Sequence, residues 1–148
     1  MRLRLAAALV ALSLLAVAVP LYAHHAFAAE FDASKPINMK GKFVKMDWVN
    51  PHSWVHFEVT LPNGQKQVWS AETPPPNQLV RMGWSKTTLE AGDELQVSGS
   101  AAKSGATKMW AGNVTLIGRG GKALDQPKQV YSFSQNPETA SGSLLPAR

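Results

Sequence analysis

With 148 residues the chain has room for one domain, and its lack of cysteine excludes disulfides, a thiol nucleophile, thiolate metal sites and a lipid-modified N-terminal cysteine. The formal net charge of +5 falls to +3 once Arg2 and Arg4 are set aside as part of a leader. The lysines are scattered rather than gathered in a stripe, which argues against nucleic acid as the partner.

Met1 to Arg4 is a short basic segment, and Leu5 to Val19 is an uncharged apolar run that Pro20 closes. Those fifteen residues rise only about 22 Å as a helix, short of the roughly 30 Å hydrocarbon core of a bilayer. A cleavable signal peptide at residues 1–23 is therefore expected rather than an anchor, with export to the periplasm and no transmembrane segment in the mature chain. Leu21-Tyr22-Ala23 is one small-residue cleavage site, and Ala26-Phe27-Ala28 is another. Cleavage after Ala23, nearer the apolar run, leaves a chain beginning His24-His25. Cleavage after Ala28 discards both histidines.

From Pro36 onward the pattern is that of strands. Ile37 to Val49 alternates loosely, with Gly41 read as a bulge or bend. After Asn50-Pro51, Ser53 to Leu61 alternates cleanly: Val55, Phe57, Val59 and Leu61 on one face, Trp54, His56, Glu58 and Thr60 on the other. Pro62-Asn63-Gly64 is a hairpin turn, and Gln65 to Thr73 returns as a third strand that Pro74-Pro75-Pro76 ends. Asn77 is placed to cap a short helix, Gln78 to Met82, closed by Gly83. Two further strands are predicted, Glu94 to Ala101 and Lys108 to Ile117. Three strands, a short helix and two strands is the order of the OB-fold, so an all-β, five-stranded OB-like barrel is expected over residues 24–118, with a small sandwich as the alternative. Residues 119–148 are rich in Gly, Ser, Pro, Gln and Ala, with hydrophobes only singly, and read as a flexible low-complexity tail.

Two runs, His24-His25-Ala-Phe-Ala-Ala-Glu-Phe-Asp32 and Val49-Asn-Pro-His-Ser-Trp54, resemble the DUF6152 family of small exported bacterial proteins of unassigned function. The resemblance continues through Pro76 to Trp84, the Leu-Glu-Ala-Gly-Asp93 turn and Asn113-Val-Thr-Leu116, and covers about residues 24–118. It implies export and an OB-like barrel, and it carries no activity with it.

All four histidines fall in two groups, His24-His25 and His52/His56. An N-terminal His24 offers an α-amine and an imidazole together, and a third nitrogen from His52 or His56 completes a near-planar nitrogen set of the kind Cu(II) favours. His25 offers an alternative amine–amide–imidazole mode. On one regular strand the Cα atoms of His52 and His56 stand about 13 Å apart, so one of them rather than both is expected at the metal. Against this stands the plain reading of a solvated N-terminus and two strand histidines. Carboxylates Glu30, Asp32, Glu58 and Glu72 form no evident pair, and Ser53, Ser70 and Ser85 lack a nucleophile-elbow motif, so no complete catalytic set is legible. The expected function is non-enzymatic binding, with copper as the first ligand. The alternative is an interaction module that docks a glycan, an envelope polymer or a partner protein through Trp48, Trp54, Trp69, Trp84 and Glu72.

Overall fold

Six strands follow one another through residues 27–132, the part of the chain that the computed structural model describes. The expected signal peptide, His24, His25 and residues 133–148 lie outside the described residues. After a helical turn at 27–30 come β1 (Phe31–Asp47), β2 (Ser53–Thr60), β3 (Lys66–Thr73), the short helix α1 (Pro76–Arg81), β4 (Glu94–Ala102), β5 (Lys108–Arg119) and β6 (Lys122–Ser132). Strands β1 to β5 close into a barrel. β1 pairs antiparallel with β2 and β4, β2 with β3 and β4 with β5, while a short parallel pairing of β3 with β5 seals the ring. The expected OB-like barrel is the fold.

The alternation read in β2 survives intact: Val55, Phe57 and Val59 point into the barrel and are buried, and Trp54, His56 and Glu58 face outward. Leu95 and Val97 of β4 and Met109, Ala111 and Val114 of β5 meet them inside. Leu79 of α1 and Trp84 just after it are buried against the same core, and their backbones are tied by the Trp84 N–H donating to the Leu79 carbonyl at 3.0 Å. Asn77 does not cap α1. The helix starts two residues earlier, with Pro75 at the N-cap and a proline in its first turn, where the missing N–H has no intrahelical partner to lose.

Gly41 is not the bulge. The register of β1 against β2 slips between Phe43 and Lys45, whereas Gly41 sits where a Cβ would come within 2.5 Å of the Glu58 carbonyl oxygen. Its role is close strand approach, which only a residue without a side chain permits.

Residues 122–132 correct the expected tail. β6 lies antiparallel on β5, with Asn113 opposite Ser132 and Arg119 opposite Lys122, so the domain runs to residue 132 rather than ending at 118. Tyr131 is 1% exposed in the core, and the Trp84 Nε1–H donates to the Val130 carbonyl at 2.5 Å. Alternation is missing from this segment because an outer strand added to a closed barrel has little apolar surface to bury: apart from Leu124, Val130 and Tyr131, its side chains are exposed.

Candidate functional site

On the outer face of β2, β3 and β5 the side chains form a second, smaller cluster. The segment before β1 crosses this face. Lys103 donates its backbone N–H to the Glu30 carbonyl at 2.9 Å and its Nζ to the Ala28 carbonyl at 2.5 Å, and Lys108 Nζ pairs with Glu30 Oε1. So held, Phe27 packs edge-on against Trp110 at 5.5 Å between ring centroids and tilted against Phe31 at 5.9 Å. Phe31 is 2% exposed although it lies outside the barrel core.

Between this segment, the loop from Val49 to His52 and strands β2, β3 and β5 lies a pocket of about 370 Å³, walled by Phe27, Phe31, Trp54 and Trp110 and carrying Glu30, His52 and Glu72 as its ionisable groups. His52, just ahead of β2, meets Trp110 edge to face at 5.9 Å and pairs through Nδ1 with Glu72 Oε1. Its Nε2 has no hydrogen-bond partner among the described residues. Burial pushes the Glu72 carboxyl up to about 7, the charge of Glu30 adds to the rise, and Lys108 partly offsets it. Burial also pushes the His52 imidazole down, against a smaller pull upward from Glu30. Both shifts express the cost of holding charge in this partly buried place.

His56 belongs elsewhere. Its Nε2 is 2.9 Å from Asp47 Oδ2 and its Nδ1 is 2.9 Å from Ser70 Oγ, so both ring nitrogens are engaged. The structure thus separates His52 from His56. Among the described residues no group of three His, Asp or Glu is arranged to hold a metal.

The tryptophans separate as well. Trp54 lines the pocket, and Lys108 Nζ stands 5.0 Å from the centre of its ring, within cation–π range. Trp84 is core, and Trp48 and Trp69 pack against the core, so these three do not form a ligand face with Trp54. Trp110, Phe27, Phe31 and Lys108 reach the site through the β3–β5 closure and the N-terminal segment, contacts between distant parts of the chain that no local pattern announces. A second concavity of about 370 Å³ lies over β1 and β2 and includes Lys40, Lys42, Glu58 and Lys66. It has no aromatic wall, and its Lys66 is already paired with Glu58 at 2.8 Å.

No curated protein and no solved structure matches the chain. Over residues 10–111 it matches the model of a family of unknown function, DUF6152, and it belongs to that family.

Proposed function

We propose that this is an exported, periplasmic binding protein that holds one copper ion at the mouth of the aromatic pocket, with His52 Nε2 as the barrel ligand. The observation that carries this reading is the His52–Glu72 pair. A histidine ligand characteristically uses one ring nitrogen for the metal and gives the other N–H to a carboxylate, which fixes the tautomer and raises the basicity of the ligating nitrogen. The Nδ1 of His52 is held in that way by a buried carboxylate, and its Nε2 has no partner among the described residues. His56, with both nitrogens engaged, is not part of the site.

Support for the remaining ligands comes from chain reach. Phe27 and His52 line the same pocket, and in the sequence His24 precedes Phe27 by three residues, a span of at most about 11 Å. The amine and imidazole of His24 supply two nitrogens and His52 the third, a set suited to Cu(II), with His25 as the alternate. Cleavage after Ala28 would remove Phe27 from the wall together with both histidines.

The test is Cu(II) titration of protein whose N-terminus has been verified as His24, read by calorimetry and electron paramagnetic resonance. One equivalent should bind with a nitrogen-rich signal. His52→Ala should weaken binding by at least tenfold and change the signal, while His56→Ala should leave both unchanged. Equal affinity in the His52→Ala protein refutes the site. The aromatic walls favour a second reading, in which the pocket docks a ring-bearing ligand such as a glycan unit of an envelope polymer. Quenching of tryptophan fluorescence by such a ligand in metal-free protein, lost in Trp54→Ala, would support it.

A further inference from the structure

Three side chains on neighbouring strands stand in line on the outer face. Asp47 closes β1, His56 sits mid-β2 and Ser70 sits opposite it on β3. Ser70 Oγ lies 2.9 Å from His56 Nδ1, and His56 Nε2 lies 2.9 Å from Asp47 Oδ2. The direction of these bonds follows from charge. Asp47 also takes both contacts of Lys45 Nζ, at 2.9 and 3.1 Å, and this bond first, with that of His56 helping against desolvation, holds its carboxyl below the usual range. An ionised carboxylate only accepts, so His56 Nε2 carries the hydrogen. In the neutral imidazole Nδ1 is then a lone-pair acceptor, and the Ser70 hydroxyl donates to it.

We propose that Ser70, His56 and Asp47 form a nucleophilic serine site that cleaves small esters with an apolar acyl group. Ser70 and His56 are the catalytic residues and Asp47 is the positioning residue. The donor order is that of the serine–histidine–aspartate arrangement, with the two ring nitrogens exchanged. The substrate class follows from the surroundings. Trp54 shares the outer face of β2 two residues from His56, about 6.7 Å along the strand, and offers an apolar platform for the acyl group. Lys108, the ladder neighbour of Ser70 across β3 and β5, holds its Nζ between Glu30 and the Trp54 ring and so fixes that platform beside the site.

In the first step the Ser70 oxygen bonds to the ester carbonyl carbon and its proton passes to His56 Nδ1. The carbon–oxygen bond to the leaving group breaks, and the alcohol departs with that proton. Water then attacks the acyl-serine, again giving a proton to His56, which returns one to Ser70 as the acid is released. No oxidant, metal or further reactant enters, so the proposal does not depend on the copper reading.

The test uses the folded protein in the presence of EDTA, with diisopropyl fluorophosphate as the probe and p-nitrophenyl acetate as the substrate. The expected result is one phosphoryl group per chain, located on Ser70 by peptide mass, together with hydrolysis of the ester. Ser70→Ala should lose the label. His56→Gln should slow labelling by about 100-fold or more, the usual contribution of a general base. Asp47→Asn should slow it while shifting the pH profile, which a purely structural role would not do. Circular dichroism establishes that each variant is folded. Ser70→Cys, which keeps a nucleophile in place, should react with iodoacetamide at a lower pH than an ordinary thiol. Absence of label on Ser70 in folded protein, or equal labelling of the His56→Gln variant, overturns the proposal.

Discussion

Replacing Asp93 by alanine should unfold this domain more readily than any comparable change on its surface. Asp93 is 1% exposed in the turn before β4. Its Oδ2 accepts the Glu90 N–H at 2.8 Å and Arg119 Nη2–H at 2.6 Å, and its Oδ1 accepts Arg119 Nε–H at 2.9 Å. Hydrogen bonds to a charged group contribute about 1.5–3 kcal/mol each, and removing one partner of a buried pair costs about 3–5 kcal/mol. The Arg119 side chain is 37% exposed and regains water when its partner is gone, so the lower figure of about 3 kcal/mol applies. For a domain of this size that corresponds to a fall in Tm of about 12–15 °C. Burial raises the Asp93 carboxyl, but the Arg119 and Glu90 bonds outweigh it and hold the folded value below the usual one. The contribution is therefore complete above the unfolded value, near pH 4, and disappears as the pH falls through the depressed folded value. Thermal unfolding followed by circular dichroism should give a gap between wild type and Asp93→Ala that is widest at neutral pH and closes below pH 4. A variant within 3 °C of wild type at pH 7, or a gap unchanged at pH 2.5, would refute the argument.

A chain ending at residue 118 should be far less stable than one ending at residue 132, because it lacks Arg119, the buried Tyr131 and the strand that receives the Trp84 hydrogen bond; urea unfolding of the two fragments decides this. Gly99→Ala places a Cβ 1.8 Å from the Trp110 carbonyl oxygen and should cost several kcal/mol or abolish folding. Gly112→Ala, whose nearest contact is 3.3 Å, should be much milder in the same assay. Tyr131→Phe should be neutral or stabilising by about 1 kcal/mol, since the buried Tyr131 hydroxyl has no partner among the described residues and its loss removes an uncompensated desolvation cost. A loss of more than 2 kcal/mol in urea unfolding would show that the hydroxyl is satisfied in solution.

The parts of the fold that could be read in the sequence are those where one strand carries both faces of the problem. β2 buries Val55, Phe57 and Val59 and exposes the residues between them, so its period, its register against β3 and the turn at Gly64 are local facts. Neither end of the domain has that property. Phe31 to Pro36 is broken by a register shift, and four consecutive residues there are exposed, so the only sign of an early β1 is one buried phenylalanine. β6 buries chiefly Tyr131 and hydrogen-bonds to a barrel already closed by five other strands. A strand held by backbone pairing to one neighbour leaves almost no trace in hydrophobic period.

The site was half legible for a related reason. Spacing alone places His52 and His56 too far apart along a strand to share a metal, and the structure adds that they serve two different sets of partners. What spacing could not supply was the partners. Ser70 comes to His56 through the β2–β3 register, whereas Glu72, the ladder partner of Trp54, meets His52 from the loop ahead of β2. Asp47 and Trp110 arrive from opposite sides of the same face through β1 and β5. The two imidazoles therefore have different partners: His52 pairs through Nδ1 with a buried carboxyl, and His56 lies between an ionised carboxylate at Nε2 and a hydroxyl at Nδ1. The two assignments make opposite demands in one experiment. His52→Ala should weaken copper binding and spare serine labelling, and His56→Gln should slow labelling and spare copper binding.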